Sequence, residues 1–271
     1  MDKREIFKKI REIEIKSNIV ANEIFAGTYR SYFKGNGMEF SDIRRYSIGD
    51  DVKKIDWKVT ARQRKAYVKE FVEERELSIF LLVDISSSNI FGRQKDKIAE
   101  LIATLCFSAN KNNDKVGALF FSDKIERFHQ LKKGRKHSLA ILDNFLKFDD
   151  NNKKTDISNA LDFFNKIIKR RAIIFIISDF YDNGYEKNLK LLDQKHDLIT
   201  VCIRDISKQT LPKGAIFTII DSETGEEVVV DNLKNELKIG EDFNVKNSIN
   251  LSLEDDYTKK FIRFFKLRGK K

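Results

Sequence analysis

The sequence is poor in the residues that mark covalent or soft-metal chemistry. It has two cysteines, three histidines, one tryptophan and a single proline. Cys106 and Cys202 are far apart, each inside an apolar periodic segment. They read as small buried hydrophobes, which excludes a disulfide or a thiolate metal pair. His129, His137 and His196 have no metal-ligand spacing and read as packing or surface residues. The longest uninterrupted apolar run is Ala172 to Ile177, far short of a membrane span. The start, Met1-Asp2-Lys3-Arg4-Glu5, lacks the apolar stretch of a secretory signal, so a cytoplasmic location is expected. The scarcity of proline beside many Lys, Asn and Ile reflects overall composition and carries no functional signal.

Charge of one sign is also missing as a block. The formal net charge is +10, but residues 1–76 carry 18 Lys/Arg against 14 Asp/Glu, residues 77–205 carry 22 against 17, and residues 206–271 carry 12 against 11. So even a spread argues against a basic nucleic-acid module. The local exception is Lys259 to Lys271, with seven basic residues and no acidic one, read as a solvated helix end whose cations complement the macrodipole.

What is present is core-forming material: 41% hydrophobic residues, including 22 Phe. The middle of the chain alternates strand-like and helix-like patterns, as a parallel sheet covered on both faces does. Strands are expected at Leu77–Val83, Val116–Phe121, Arg171–Ser178 and Leu198–Arg204, the last being the final parallel strand. A short edge strand is expected at Ile125–His129. Helices are expected around Ile98–Cys106, Ser138–Lys147 (stripe Leu139, Leu142, Leu146), Ile157–Lys169 and Glu186–Gln194. The fold class is α/β with a doubly wound, mostly parallel sheet.

The flanks differ from the centre. Residues 1–30 look helical, and residues 31–64 are rich in Gly, Asp and Arg with little periodicity. Ala66–Val72 alternates as a strand would. Ala215–Ile220 and Glu227–Val230 flank Thr224-Gly225 as a β-hairpin. Tyr257, Phe261, Phe264 and Phe265 stripe a closing helix. Three parts follow: 1–74 as an N-terminal helix and arm packed on the core, 75–205 as the central domain, and 206–271 as a hairpin and helix extension.

Asp84-Ile85-Ser86-Ser87-Ser88 stands where the first apolar strand ends. A carboxylate and two hydroxyls at alternate positions form a hard-oxygen loop suited to Mg²⁺, Mn²⁺ or Ca²⁺, and a Ser-rich turn capping the next helix has the same look. Thr155 lies in a polar loop that opens a helix, and Asp179 follows the next strand. Ligands of an open parallel sheet bind beyond the carboxyl ends of its strands. Asp84, Ser86, Ser88, Thr155 and Asp179 are therefore expected at one point. No nucleophile–base pair and no Gly-x-x-x-x-Gly-Lys-Ser/Thr loop accompanies them.

This set resembles the metal-ion-dependent adhesion site of the von Willebrand factor A superfamily. The resemblance implies Ser86, Ser88 and Thr155 as direct ligands of Mg²⁺ (or Mn²⁺ or Ca²⁺), with Asp84 and Asp179 acting directly or through water. That pattern usually has Met after the last Ser. Asn89 stands there, at a position the resemblance does not make a ligand. Three hydroxyls and at most two carboxylates leave a divalent cation with an open position, which an acidic residue of a partner protein completes.

Upstream, Gly35-Asn36-Gly37-Met38-Glu39-Phe40, Asp42-Ile43-Arg44-Arg45-Tyr46 and Gly49-Asp50-Asp51-Val52-Lys53-Lys54-Ile55-Asp56-Trp57-Lys58 with Ala61-Arg62 resemble the signature of the bacterial domain of unknown function 58 family. The resemblance covers about residues 20–235 and departs from the usual pattern in carrying Lys at 53 or 54 where Arg is common. It implies a von Willebrand factor A-like domain and a MoxR-type AAA+ ATPase as partner, with membrane-bound von Willebrand factor A proteins as further partners that bring the chain to the inner membrane periphery. The function implied is a metal-dependent interaction module, an adaptor or assembly factor and not an enzyme. The alternative is a metal-dependent hydrolase or phosphoryl-transfer enzyme. For the signature itself the expectation is structural: Asp50, Asp51, Asp56, Arg44, Arg45 and Arg62 as ion pairs pinning the arm onto the sheet, and Trp57 as a packed anchor, with direct binding as the other reading.

Overall fold

The computed structural model describes residues 10–14, 39–63, 65–72, 76–90, 92–149, 154–204, 210–211, 216–220, 227–231, 237–238 and 245–268. Of the expected N-terminal helix, residues 10–14 are helical, with Ile10 and Ile13 buried. Gly35 to Met38, Thr224-Gly225 and the last three residues of the basic tail lie outside the described residues.

The central sheet has six strands: β3 (Ser78–Asp84), β4 (Lys115–Phe121), β5 (Ile125–Lys132), β6 (Ile173–Ser178), β7 (Asp197–Arg204) and β12 (Ser248–Ser252), in the order β12-β7-β6-β3-β4-β5. All neighbours are parallel except β5, which runs antiparallel on β4 as an edge. The expected doubly wound, mostly parallel α/β sheet is what the chain forms. One expectation is corrected: Leu198–Arg204 is not the last parallel strand, because β12 pairs beyond it. Ser-Ile-Asn-Leu-Ser at β12 is short and alternates with polar residues, the pattern of a covered edge and not of a buried centre.

β3, β4, β6 and β7 are near-continuous apolar runs because both faces are covered. Alternate residues serve opposite faces. On one face Phe80, Leu82, Leu119, Ile174 and Ile176 pack with Ile157, Leu161 and Phe164 of α5 (Ile157–Ile167), and Phe80 meets Phe164 edge-on at 4.9 Å between ring centroids. On the other, Phe120 contacts Phe145 of α4 (Arg135–Leu146), and Phe175 stacks near Phe261 of the C-terminal helix α7 (Tyr257–Arg268). The stripe of α4 is set by Ile141, Leu142, Phe145 and Leu146, whereas Leu139 is half-buried. Cys106 and Cys202 are buried and unbridged, and burial pushes each thiol up to about 12.

The expected hairpin is present as β9 (Ile216–Ile220) paired antiparallel with β10 (Glu227–Asp231), and β8 (Thr210–Leu211) pairs with β11 (Leu237–Lys238). Among the described residues no helix is long and apolar enough to cross a membrane.

The chain separates into two compact units, one of residues 1–32 with 77–271, the other Phe33–Glu76. In the smaller unit β1 (Glu39–Arg45) pairs antiparallel with β2 (Tyr67–Val72). Between them lie a 3₁₀ turn, Val52–Lys54, capped by Asp51, and α1 (Trp57–Gln63), whose first turn is capped by Asp56 through Lys58 N and Val59 N. Arg44 grips Asp50 bidentately, both contacts at 2.7 Å, and that guanidinium with Ser47 N holds the Asp50 carboxyl down to about 2. Lys69 stands 3.5 Å from Asp56. These ion pairs and caps close within the unit. Trp57 is not a packed anchor: it is 66% exposed, and Ile48 and Val52 of the same unit are exposed too.

Candidate metal centre

β3 lies between β4 and β6, so the loops leaving β3 and β6 diverge and open a crevice at their carboxyl ends. Asp84 is the last residue of β3, and Asp179 follows the last residue of β6. Strand pairing alone brings these two carboxylates to one place, both buried.

The loop after β3 folds on itself. Asp84 Oδ1 accepts from Ser86 N at 2.9 Å, which turns the chain into the short helix α2 (Ser87–Ile90). The positive φ of Gly92 (57°), a conformation free of Cβ strain only for glycine, then starts the long helix α3 (Gly92–Lys111). Ser86 Oγ and Ser88 Oγ end up 3.2 Å apart. Ser88 lies near enough to Asp179, and Ser86 to Asp84, for each hydroxyl to favour the charged carboxylate. Ser88 is half-buried and Ser86 fully buried, so the set opens to solvent on the Ser88 side.

The turn after β6 is held from three sides. Ser178 Oγ donates to Asp84 Oδ2 at 2.7 Å and accepts from Phe180 N at 3.0 Å. Arg204 Nε donates to Asp179 O at 2.8 Å, while its guanidinium lies 4.4 Å from the Tyr181 ring centroid. Phe180 takes φ 56°, a costly conformation for a bulky residue, and these bonds hold it there.

Thr155 is half-buried in the loop before α5. Asp156 N donates to Ser122 O just past β4, and Ile157 N donates to Asp182 Oδ2 at 2.8 Å. That loop is therefore tied to the same edge of the sheet. Hydrogen bonds join Asp84, Ser86 and Ser88, Asp179 stands beside them at the end of the neighbouring strand, and the residues that follow Thr155 tie its loop to the same edge.

Electrostatically the pair of carboxyls is only partly compensated. Asp84 is raised, first by desolvation and then by the Asp179 charge, against the Ser178 and Ser86 donors. Asp179 is raised as well, first by burial, with Ser88, Tyr181 N, Arg204 and Asn89 opposing. Two buried carboxyls whose charged forms are disfavoured, bordered by hydroxyl oxygens, suit a hard divalent cation in their midst. Among the described residues no group of three or more His, Cys, Asp or Glu is arranged to hold a metal, so the hydroxyls are needed. A zinc site of the usual kind is not formed by this donor set.

Sequence reasoning missed Ser178, Arg204, Asn89 and Gln94. Asn89 Nδ2 lies 3.2 Å from Ser86 Oγ, and Gln94 Nε2 donates to Asn89 Oδ1 at 2.8 Å. A polar pair buried where a helix meets the sheet was the available signal, but nothing local in the sequence says that either residue is buried.

Among known proteins, the chain is similar to uncharacterized protein Rv1480 of Mycobacterium tuberculosis (strain ATCC 25618 / H37Rv), 25% identical over 232 residues, 83% of this chain and 73% of that one. It is 30% identical over 102 residues to uncharacterized protein YeaD of Bacillus subtilis (strain 168), spanning 38% of this chain and 24% of that one. Among solved structures it is similar to conserved hypothetical protein BatB from Bacteroides thetaiotaomicron, at TM-score 0.44 and 14% identity over 72% of this chain and all of that one. The family described as "Protein of unknown function DUF58" matches residues 42–248, well over half of the sequence, and the chain belongs to that family.

Proposed function

We propose that the chain is a metal-dependent protein-interaction module. The observation that carries this reading is the buried Asp84–Asp179 pair bordered by the hydroxyls of Ser86 and Ser88 at the carboxyl edge of the sheet. Ser86, Ser88 and Thr155 would supply neutral oxygens to Mg²⁺ or Mn²⁺, and Asp84 and Asp179 would take part directly or through water. When bound, the cation supplies a Lewis-acidic position open to one further oxygen. With so few protein charges around it, that oxygen is best supplied by a carboxylate of a partner.

The partner we propose is a MoxR-type AAA+ ATPase, with the chain acting as adaptor or assembly factor in the cytoplasm and reaching the inner membrane periphery through membrane-bound von Willebrand factor A proteins. Membership of DUF58 and the metal-site pattern together support that choice. Affinity purification of the wild-type chain and of Asp84→Ala, each with Mg²⁺ and with EDTA, tests it. An ATPase recovered by the wild type with Mg²⁺ alone is the expected result. The same partners in all four samples would sink the idea.

A further inference from the structure

We propose that Asn89 is a positioning residue for this metal centre: its amide, locked in one orientation by Gln94, aims the Ser86 and Ser88 oxygens at the cation. The inference rests on the metal-dependent reading above. It starts from a backbone carbonyl. Gln94 Nε2 lies 3.3 Å from Ile203 O in β7 and 2.8 Å from Asn89 Oδ1. A carbonyl only accepts, so Gln94 must present its NH₂ to both oxygens. Asn89 Oδ1 is thereby committed as an acceptor, and its Nδ2 must face the opposite way. There it meets Ser86 Oγ at 3.2 Å and, more distantly, Ser88 Oγ at 3.5 Å. Asn89, Gln94 and Ile203 are all buried, so water is not available to substitute for any link.

The consequence follows from the valence of a hydroxyl. Each serine oxygen has one hydrogen and two lone pairs. The two oxygens stand 3.2 Å apart, close enough for one hydroxyl to donate to the other, with the buried Asp84 and Asp179 carboxyls beside them. One lone pair of each faces Asn89, more closely at Ser86. With Asn89 Nδ2 and the neighbouring hydroxyl both engaged, the directions left to the serine lone pairs are no longer free. A rotor that would otherwise sample several orientations is pre-set for a cation. Partners of this kind behind metal ligands are typically worth about 10–100-fold in affinity. Asn89 also stands where the adhesion-site pattern usually has Met, so the device belongs to this chain and not to the pattern.

Isothermal titration of the full chain with Mg²⁺, repeated with Mn²⁺, tests this on wild type, Asn89→Ala, Gln94→Ala and the double variant. The expected result is a loss of about 10–100-fold in affinity for Asn89→Ala, a smaller loss for Gln94→Ala, and no further loss when the second change is added to the first. A merely structural role would lower stability without this dependence of one change on the other. Asn89→Leu keeps the side-chain shape while removing both donors, and it serves if the alanine variant does not fold. Wild-type binding with unchanged affinity in a folded Asn89 variant overturns the inference alone, as does a Gln94→Ala loss that persists in the Asn89→Ala background. Absence of binding by the wild type overturns the metal-centre reading and this inference with it.

Discussion

Ser178 Oγ donates to Asp84 Oδ2 at 2.7 Å, joining the carboxyl ends of two neighbouring parallel strands inside the protein. The same oxygen accepts from Phe180 N, so one hydroxyl both satisfies the buried Asp84 carboxyl and shapes the turn that carries Asp179. Ser178→Ala leaves two buried polar groups without this partner. The expected cost is about 1–3 kcal/mol in urea denaturation, with a parallel loss of Mg²⁺ affinity. Unchanged stability and unchanged affinity together would remove Ser178 from the account.

The carboxyl pair predicts a pH dependence of definite sign. Asp84 is pushed up to about 7, chiefly by desolvation. A carboxyl raised in the folded state keeps its proton where the unfolded chain has lost it. Its contribution to stability is therefore complete below the unfolded value of about 4 and is lost as pH rises through the folded one. In EDTA, stability is expected to fall as pH rises through that window. Mg²⁺ competes with the proton for the same oxygens, so its affinity should rise over the same interval. Calorimetric titrations on either side of neutrality check this, and a pH-independent affinity would contradict it.

Gly117 in β4 has no room for a side chain. A Cβ there would stand 2.5 Å from Phe80 Cε1 and 2.8 Å from His129 O, the second of these a backbone atom of the adjoining strand. Gly117→Ala is expected to destabilise by about 1–3 kcal/mol, read as a lowered urea midpoint at unchanged slope.

At the C-terminus, Arg268 Nη2 pairs with Asp197 Oδ1 at 2.5 Å, both side chains little exposed, whereas Lys259 and Asp256 form an exposed pair at 3.7 Å. The basic tail is thus not uniformly a solvated helix end. Arg268→Ala strands a largely buried carboxylate at the start of β7 and should cost about 3–5 kcal/mol. Lys259→Ala should change stability by no more than about 0.5 kcal/mol. Equal effects of the two in thermal denaturation would refute the distinction.

Strands buried on both faces could be read directly, because a residue enclosed by two layers must be apolar wherever it points. That is why β3, β4, β6 and β7 stood out as runs. β12 at the sheet's edge and β1 in the small unit did not, since a strand that is partly polar resembles a loop until its partner is known. The stripe of α4 includes Ile141 and Phe145, with Leu139 only half-buried, for a related reason: which apolar residues of an amphipathic helix face inward depends on how it docks against the sheet.

By itself, the sequence determined the α/β class, the strand end that carries Asp84, Ser86 and Ser88, and the candidacy of Thr155 and Asp179. All of these depend on local spacing or on the rule that crossovers return parallel strands to a common edge. Tertiary structure alone decided that Ser178 caps Asp84, that Arg204 and Tyr181 brace the Asp179 turn, and that Asn89 and Gln94 form a relay from β7 to the serines. Those contacts join residues on separate elements, and a hydrogen bond depends on distance and angle, which residue order does not encode. The Asp-x-Ser-x-Ser loop was legible as a cluster of oxygens. The direction in which those oxygens point came from the fold around it.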